Sequence, residues 1–181
     1  MAVEQPATDK ILVALAKDSA FVKVSGRGSF KVSTPLKEFG IAAMGMNVKR
    51  ILFDMSACIG MDSTFMGTIA GLALRLRKKR SDGKVILFNL SPKTDELLKT
   101  LGLDQIILPY LAGDTPAEVT SLLERDNGYE TLIRRPETEI ETTETMLDAH
   151  ERLVDIAPEN MSKFRDVLDF LREDLRRGTE N

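Results

Sequence analysis

Two short apolar runs constrain the architecture more than anything else in the chain. Ile51-Leu52-Phe53 and Val85-Ile86-Leu87-Phe88 contain no polar residue and show no alternation, the pattern of strands buried on both faces in the middle of a sheet. Between them, residues 63–80 carry Phe65, Met66, Ile69, Leu72 and Leu76 at spacings of one, three and four. That stripe predicts a helix packed on the sheet. A strand, a helix and a strand in this order require parallel pairing through a right-handed crossover, with helices covering the sheet.

The same alternation continues on either side. Residues 11–16 and 21–24 read as strands joined by Lys17-Asp18-Ser19 in a hairpin. Gly26-Arg27-Gly28 reads as a turn, residues 34–46 as a helix with Pro35 in its first turn, and residues 92–101 as a further helix. Residues 50–55, 84–89 and 105–108 complete the strands. The expected fold is α/β, a mixed central β-sheet with helices packed on it, in the order β-β-α-β-α-β-α-β, followed by a C-terminal helical extension. Gly67 and Gly71 lie four apart on the 63–80 helix. Each costs about 1 kcal/mol relative to Ala, so the spacing predicts another backbone in close approach.

A chain of 181 residues has room for one well-buried domain of about 100–150 residues and an appendage. Residues 1–129 carry 17 Lys and Arg against 14 Asp and Glu, a net +3, whereas residues 130–181 carry 8 against 14, a net −6. The change falls beside Asn127-Gly128, a turn signal. The expected division is a domain over residues 1–128, a linker over 129–144 and a helical extension over 145–181. Within the extension, residues 145–156 and 160–177 hold apolar residues at helical spacing, and Ala157-Pro158-Glu159 separates them. This predicts a helical hairpin. Its apolar stripe leaves three occupants open: the domain itself, a second copy in a homodimer through the C-terminal helices, or a partner.

Several function classes are disfavoured. No run approaches the roughly 20 apolar residues of a transmembrane helix, and the first ten residues lack the basic and apolar segments of a secretory signal. A cytoplasmic chain without direct membrane insertion is expected. Cys58 is the single cysteine and His150 the single histidine, so neither a disulfide nor a metal cluster is expected, and His150 reads as a surface or packing residue. No cofactor and no enzymatic activity are expected either, because GxSxG, Walker and dinucleotide glycine patterns are absent. Asp54 ends a central strand, where a receiver domain would place its phosphoaccepting Asp. Yet no acidic pair follows the first strand and no Lys ends the last. The basic run at Arg75, Arg77, Lys78, Lys79 and Arg80 sits at a helix C-terminus, where cations complement the dipole. Without interleaved aromatics it does not point to nucleic acid.

The stretch 53–67 carries the chemistry. Asp62 is placed as N-cap of the 63–80 helix, which sets Ser63 and Thr64 in the first turn beside unpaired amides, at the carboxyl end of a central strand. A phosphate at such a place is stabilised by the helix dipole and its N–H donors. A partner built against the neutral hydroxyl, above all one presenting Asp or Glu, would then be repelled.

The strand 51–55, the loop after it, and Met61-Asp62-Ser63-Thr64 followed by Gly67 resemble the signature of STAS domains (sulfate transporter and anti-sigma factor antagonist), with residues 11 to about 112 in matching order. The resemblance implies an anti-sigma factor antagonist whose phosphoacceptor is Thr64, with Ser63 as the alternate. It implies a partner-binding surface of Asp62, Ser63, Thr64, Phe65, Met66 and Asp54. In such a regulator the unphosphorylated form binds an anti-sigma factor serine kinase, freeing a sigma factor, and a serine phosphatase resets the switch. One position departs from the family, which usually has Gly after the acceptor where this chain has Phe65. The second reading is therefore a constitutive STAS scaffold, in a signalling assembly or as a subunit bound to a membrane transporter's ATPase.

Overall fold

The computed structural model describes residues 9–123 and 128–179. In chain order the elements are β1 (Lys10–Ala16), β2 (Ser19–Gly28), α1 (Phe30–Gly45), β3 (Arg50–Met61), α2 (Ser63–Lys79), β4 (Lys84–Leu90), α3 (Pro92–Thr100), β5 (Leu108–Leu111), α4 (Ala117–Leu123), β6 (Glu130–Thr131), α5 (Glu139–Ile156) and α6 (Met161–Thr179). The strands form one sheet in the order β5-β4-β3-β2-β1-β6. Strands β2 to β5 pair in parallel, while β1 runs antiparallel to both its neighbours. The sheet is mixed, with helices packed on it.

The two apolar runs lie at the middle of this sheet, as their composition requires. Ile51, Phe53, Val85 and Leu87 face one side, against Leu36 of α1, Ile69, Leu72 and Leu76 of α2 and Leu98 of α3. Leu52, Ile86 and Phe88 face the other, against Val119 of α4. Full burial of each such side chain stabilises the fold by about 1.5–3 kcal/mol, which is why both strands exclude polar residues.

Four local expectations change. Helix α1 begins at Phe30 rather than residue 34, so Pro35 is its sixth residue. Pro35 has no N–H to return to the preceding turn, yet the helix continues through it to Gly45, and its start is held from outside, by a residue of the next crossover described below. Strand β3 runs on to Met61, and the presumed turn Gly26-Arg27-Gly28 is its partner: Gly26 pairs with Cys58, Arg27 with Gly60 and Gly28 with Met61, across two register shifts. Such bulges let a strand absorb an extra residue and keep pairing. The last parallel strand lies at Leu108–Leu111, because Leu103–Gln105 form a 3₁₀ turn after Gly102, whose φ is +76°. Asn127 of the expected turn pair falls outside the described residues, and Gly128 adopts φ +61°.

Beyond the core, residues expected as a linker supply β6, which pairs with β1 at Leu12 and Val13, and the first turns of α5. Thr138 and Glu141 form a capping box that starts α5 six residues before the expected Thr145. Helices α5 and α6 run antiparallel. Thr143 bonds Asp174 at 3.1 Å, the His150 ring lies edge-on to Phe164 at 5.0 Å, and buried Asn160 at the bend donates to the carbonyls of Leu101 and Leu153. The hairpin packs onto α2 and α1, above the helix-covered face of the sheet.

Candidate functional site

Asp62 organises the site. Its backbone N–H donates to the Gly28 carbonyl at 2.9 Å, continuing the β2–β3 pairing by one residue. Its side chain then caps two helices at once. One carboxylate oxygen accepts from the Phe65 N–H at 2.8 Å and the other from the Phe30 N–H at 2.8 Å. Ser29, the formal N-cap of α1, makes no side-chain cap bond. One carboxylate thus satisfies donors at two helix N-termini and lies at the positive end of both dipoles. Asp62 was legible as the cap of α2. Its bond to α1, across 32 residues of sequence, was not.

The two hydroxyls differ. Ser63, half-buried, bonds His150 Nε2 on α5 at 3.0 Å. His150 Nδ1 lies 2.7 Å from the Met146 carbonyl. A carbonyl only accepts, so His150 Nδ1–H donates to it. Thr64 is 3% exposed. Of the other residues expected at a partner surface, Phe65 and Met66 are buried in the core. The physical reason is a cavity left by glycine: a Cβ on Gly28 would stand 2.6 Å from the Phe65 ring, so the ring occupies the space that Gly28 leaves open. Asp54 stands on the opposite side of the sheet from α2, one residue on from Phe53. It accepts from Ser56 N–H at 2.9 Å and Asn89 Nδ2 at 3.0 Å, with Lys23 at 3.9 Å. The structure therefore gathers Asp62, Ser63 and Thr64 and sets Asp54 apart.

The close approach expected at Gly67 is made by α5. A Cβ there would overlap the Ala149 carbonyl, and one on Gly71 would reach Arg152. Around this contact, Thr34 of α1 donates to Thr145 of α5 at 2.9 Å, both buried. Asp148 of α5 meets Lys37 of α1 at 2.8 Å and Arg75 of α2 at 3.1 Å. Burial alone would raise the Asp148 carboxyl, but Lys37 and then Arg75 outweigh it and hold the group at about 2. Sequence reasoning missed His150, Thr145 and Asp148 as neighbours of the site. The small-residue spacing of Ser63, Gly67 and Gly71 was the one signal pointing towards them.

Burial pushes the Cys58 thiol up, away from the reactive thiolate. Among the described residues no group of three or more His, Cys, Asp or Glu is placed to hold a metal ion. No described helix is long and apolar enough to cross a membrane.

Residues 5–117 match the family model described as the STAS domain. The solved structure of the anti-sigma factor antagonist SpoIIAA in its unphosphorylated form superposes with a TM-score of 0.52 at 17% identity, covering 62% of this chain and 95% of that one. An anti-sigma factor antagonist from Mycobacterium paratuberculosis gives 0.51 at 19% identity, covering 65% and 96%. At these identities the likeness is one of fold. No protein of curated function matches the sequence. The match to the family model spans the whole sheet up to β5 together with the Asp62-Ser63-Thr64 turn, and the chain belongs to the STAS domain family.

Proposed function

We propose that the chain is an anti-sigma factor antagonist, a protein-binding module of the bacterial cytoplasm whose partner is a serine-kinase anti-sigma factor and whose switch is the hydroxyl of Thr64. One observation carries the reading: Ser63 and Thr64 occupy the first turn of α2, directly after Asp62, at the carboxyl end of a central parallel strand. The partner kinase transfers the γ-phosphoryl of ATP to Thr64 Oγ1, with ADP leaving and the hydroxyl proton passing to a base of the kinase. The product carries about −1.5 to −2 charge at a helix start that tolerates it, and a partner shaped to the neutral hydroxyl is repelled. A serine phosphatase restores the binding form. The module itself performs no catalysis. Asp62, Ser63 and Thr64 form its contact surface, with Phe65 and Met66 fixing the turn from below and Asp54 on the far side of the sheet.

A second reading, a STAS scaffold that is never phosphorylated, is favoured by the 3% exposure of Thr64 and by Phe65 after it. A pull-down from native lysate separates the two, with wild type, Thr64→Ala and Thr64→Glu as baits. The switch predicts a serine-kinase anti-sigma factor retained on Thr64→Ala and lost from Thr64→Glu. The same partners on all three baits would support the scaffold.

A further inference from the structure

On α2, residues 63, 64, 67, 68, 71 and 75 fall within one side of the helix at about 100° per residue, and the core residues Phe65, Ile69, Leu72 and Leu76 fall on the other. Thr64 sits inside the outward stripe, between Gly71 and Arg75 in angular position. Every flanking member of that stripe that meets another element meets α5: Ser63 bonds His150, Gly67 lies under Ala149 and Gly71 under Arg152, and Arg75 pairs with Asp148. The surface that the proposed switch offers to its partner is thus already occupied, by a helix of the same chain.

We infer that the outward stripe of α2 is a helix-docking surface with two competing occupants, and that the α5–α6 hairpin is a built-in cover that must leave before a partner reaches Thr64. The identity of the competing partner rests on the function proposed above; the cover itself does not. The docked hairpin fills the stripe by specific means. It presents the small Ala149 to Gly67, where any Cβ on α2 would clash, and a carboxylate, Asp148, to the paired cations Lys37 and Arg75. A partner that replaces it has to offer the same two features, a small residue over Gly67 and a carboxylate between Lys37 and Arg75. Thr64 is 3% exposed, so a phosphate on it requires its neighbours to move, and α5 is the neighbour held on Ser63, Gly67 and Gly71. Because a partner binds only the open population, the apparent affinity is reduced by the open fraction.

The test uses the full chain carrying Cys58→Ser and Thr64→Cys, so that the single thiol reports access to position 64. Its alkylation by N-ethylmaleimide, followed by mass spectrometry, is compared with that of the same chain bearing Asp148→Lys, which sets a fourth cation among Lys37, Arg75 and Arg152. Labelling scales with the open fraction when opening is local, and Asp148→Lys is expected to accelerate it at least tenfold while amide exchange in β3 and β4 stays unchanged. Rates equal within twofold would overturn the cover. If Asp148→Lys also exposes β3 and β4, the milder Asp148→Asn replaces it under the same criterion. Wild-type and Asp148→Lys chains, both with Thr64 intact, then serve as baits for a serine-kinase anti-sigma factor. Retention at least tenfold higher on Asp148→Lys supports competition, and equal retention overturns it. If neither these baits nor Thr64→Ala retains such a kinase, the proposed function fails, and the alkylation rates still decide whether α5–α6 is a cover.

Discussion

Replacing Asp62 tests whether one carboxylate starts two helices. Each of its oxygens accepts a backbone N–H at 2.8 Å, one from α2 and one from α1. Loss of an N-cap costs about 1 kcal/mol, within a range of about 0.5–2, and each helix dipole adds about 0.3–1 kcal/mol for a nearby anion. Asp62→Ala removes both caps and both dipole terms, so the expected loss is about 2–4 kcal/mol. Asp62→Asn keeps one carbonyl oxygen in place and turns an NH2 group towards the other helix. It preserves one cap but not the charge, so it loses about 1 kcal/mol less than Asp62→Ala. For a chain of this length about 1 kcal/mol corresponds to 2–4 °C in Tm, so Asp62→Ala should melt about 4–16 °C below wild type, with Asp62→Asn between the two. Urea unfolding followed by circular dichroism measures both, read as a shift in midpoint at constant m. If Asp62→Asn loses as much as Asp62→Ala, or if Asp62→Ala stays within about 0.5 kcal/mol of wild type as ordinary surface substitutions do, the dual cap is wrong.

Two further outcomes follow from contacts already described. Asp148 has a carboxyl depressed from the usual 3.8 to about 2 by Lys37 and Arg75, against its burial. A depressed acid stabilises its docked state above its ordinary value and loses that contribution as pH falls from about 4 towards 2. After discounting for partial solvent screening, about 1–2 kcal/mol of hairpin docking should vanish over that window, seen as a pH-dependent loss of α5 amide protection that Asp148→Asn abolishes. Phe65→Ala should cost about 3–5 kcal/mol as a core cavity. Gly28→Ala should destabilise wild type, where its Cβ would stand 2.6 Å from the Phe65 ring, but not the Phe65→Ala background. A double-mutant cycle reads that coupling, and additive losses would show that the ring does not fill the space over Gly28.

Most elements with local causes were legible in the chain, and those with distant causes were not. The β3-α2-β4 core was legible because burial on both faces of a central strand forbids polar residues, and that prohibition is written directly in Ile51-Leu52-Phe53 and Val85–Phe88. The cap at Asp62 was legible for the same kind of reason, since an N-cap bonds an amide three residues on. The capping box of Thr138 and Glu141 was equally local and marked the start of α5, yet it lay in a stretch poor in apolar residues and read as linker. The start of α1 was not local at all, because the group that holds Phe30 N–H comes from 32 residues downstream. Likewise, extension of β3 to Met61 depends on pairing with β2 across bulges that no single strand records.

The sequence by itself determined the kind of layers, their order and the hydroxyl-bearing turn after Asp62, because each follows from solvation and hydrogen bonding within a few residues of chain. Only the tertiary structure decided what stands over that turn. His150 reaches Ser63 across 87 residues, and Ala149 settles on Gly67 because two small residues four apart open a groove, without stating which backbone will fill it. A stripe of small residues specifies a vacancy, and its occupant is fixed only when shape and charge elsewhere in the fold, here Lys37 and Arg75 facing Asp148, bring one helix onto it.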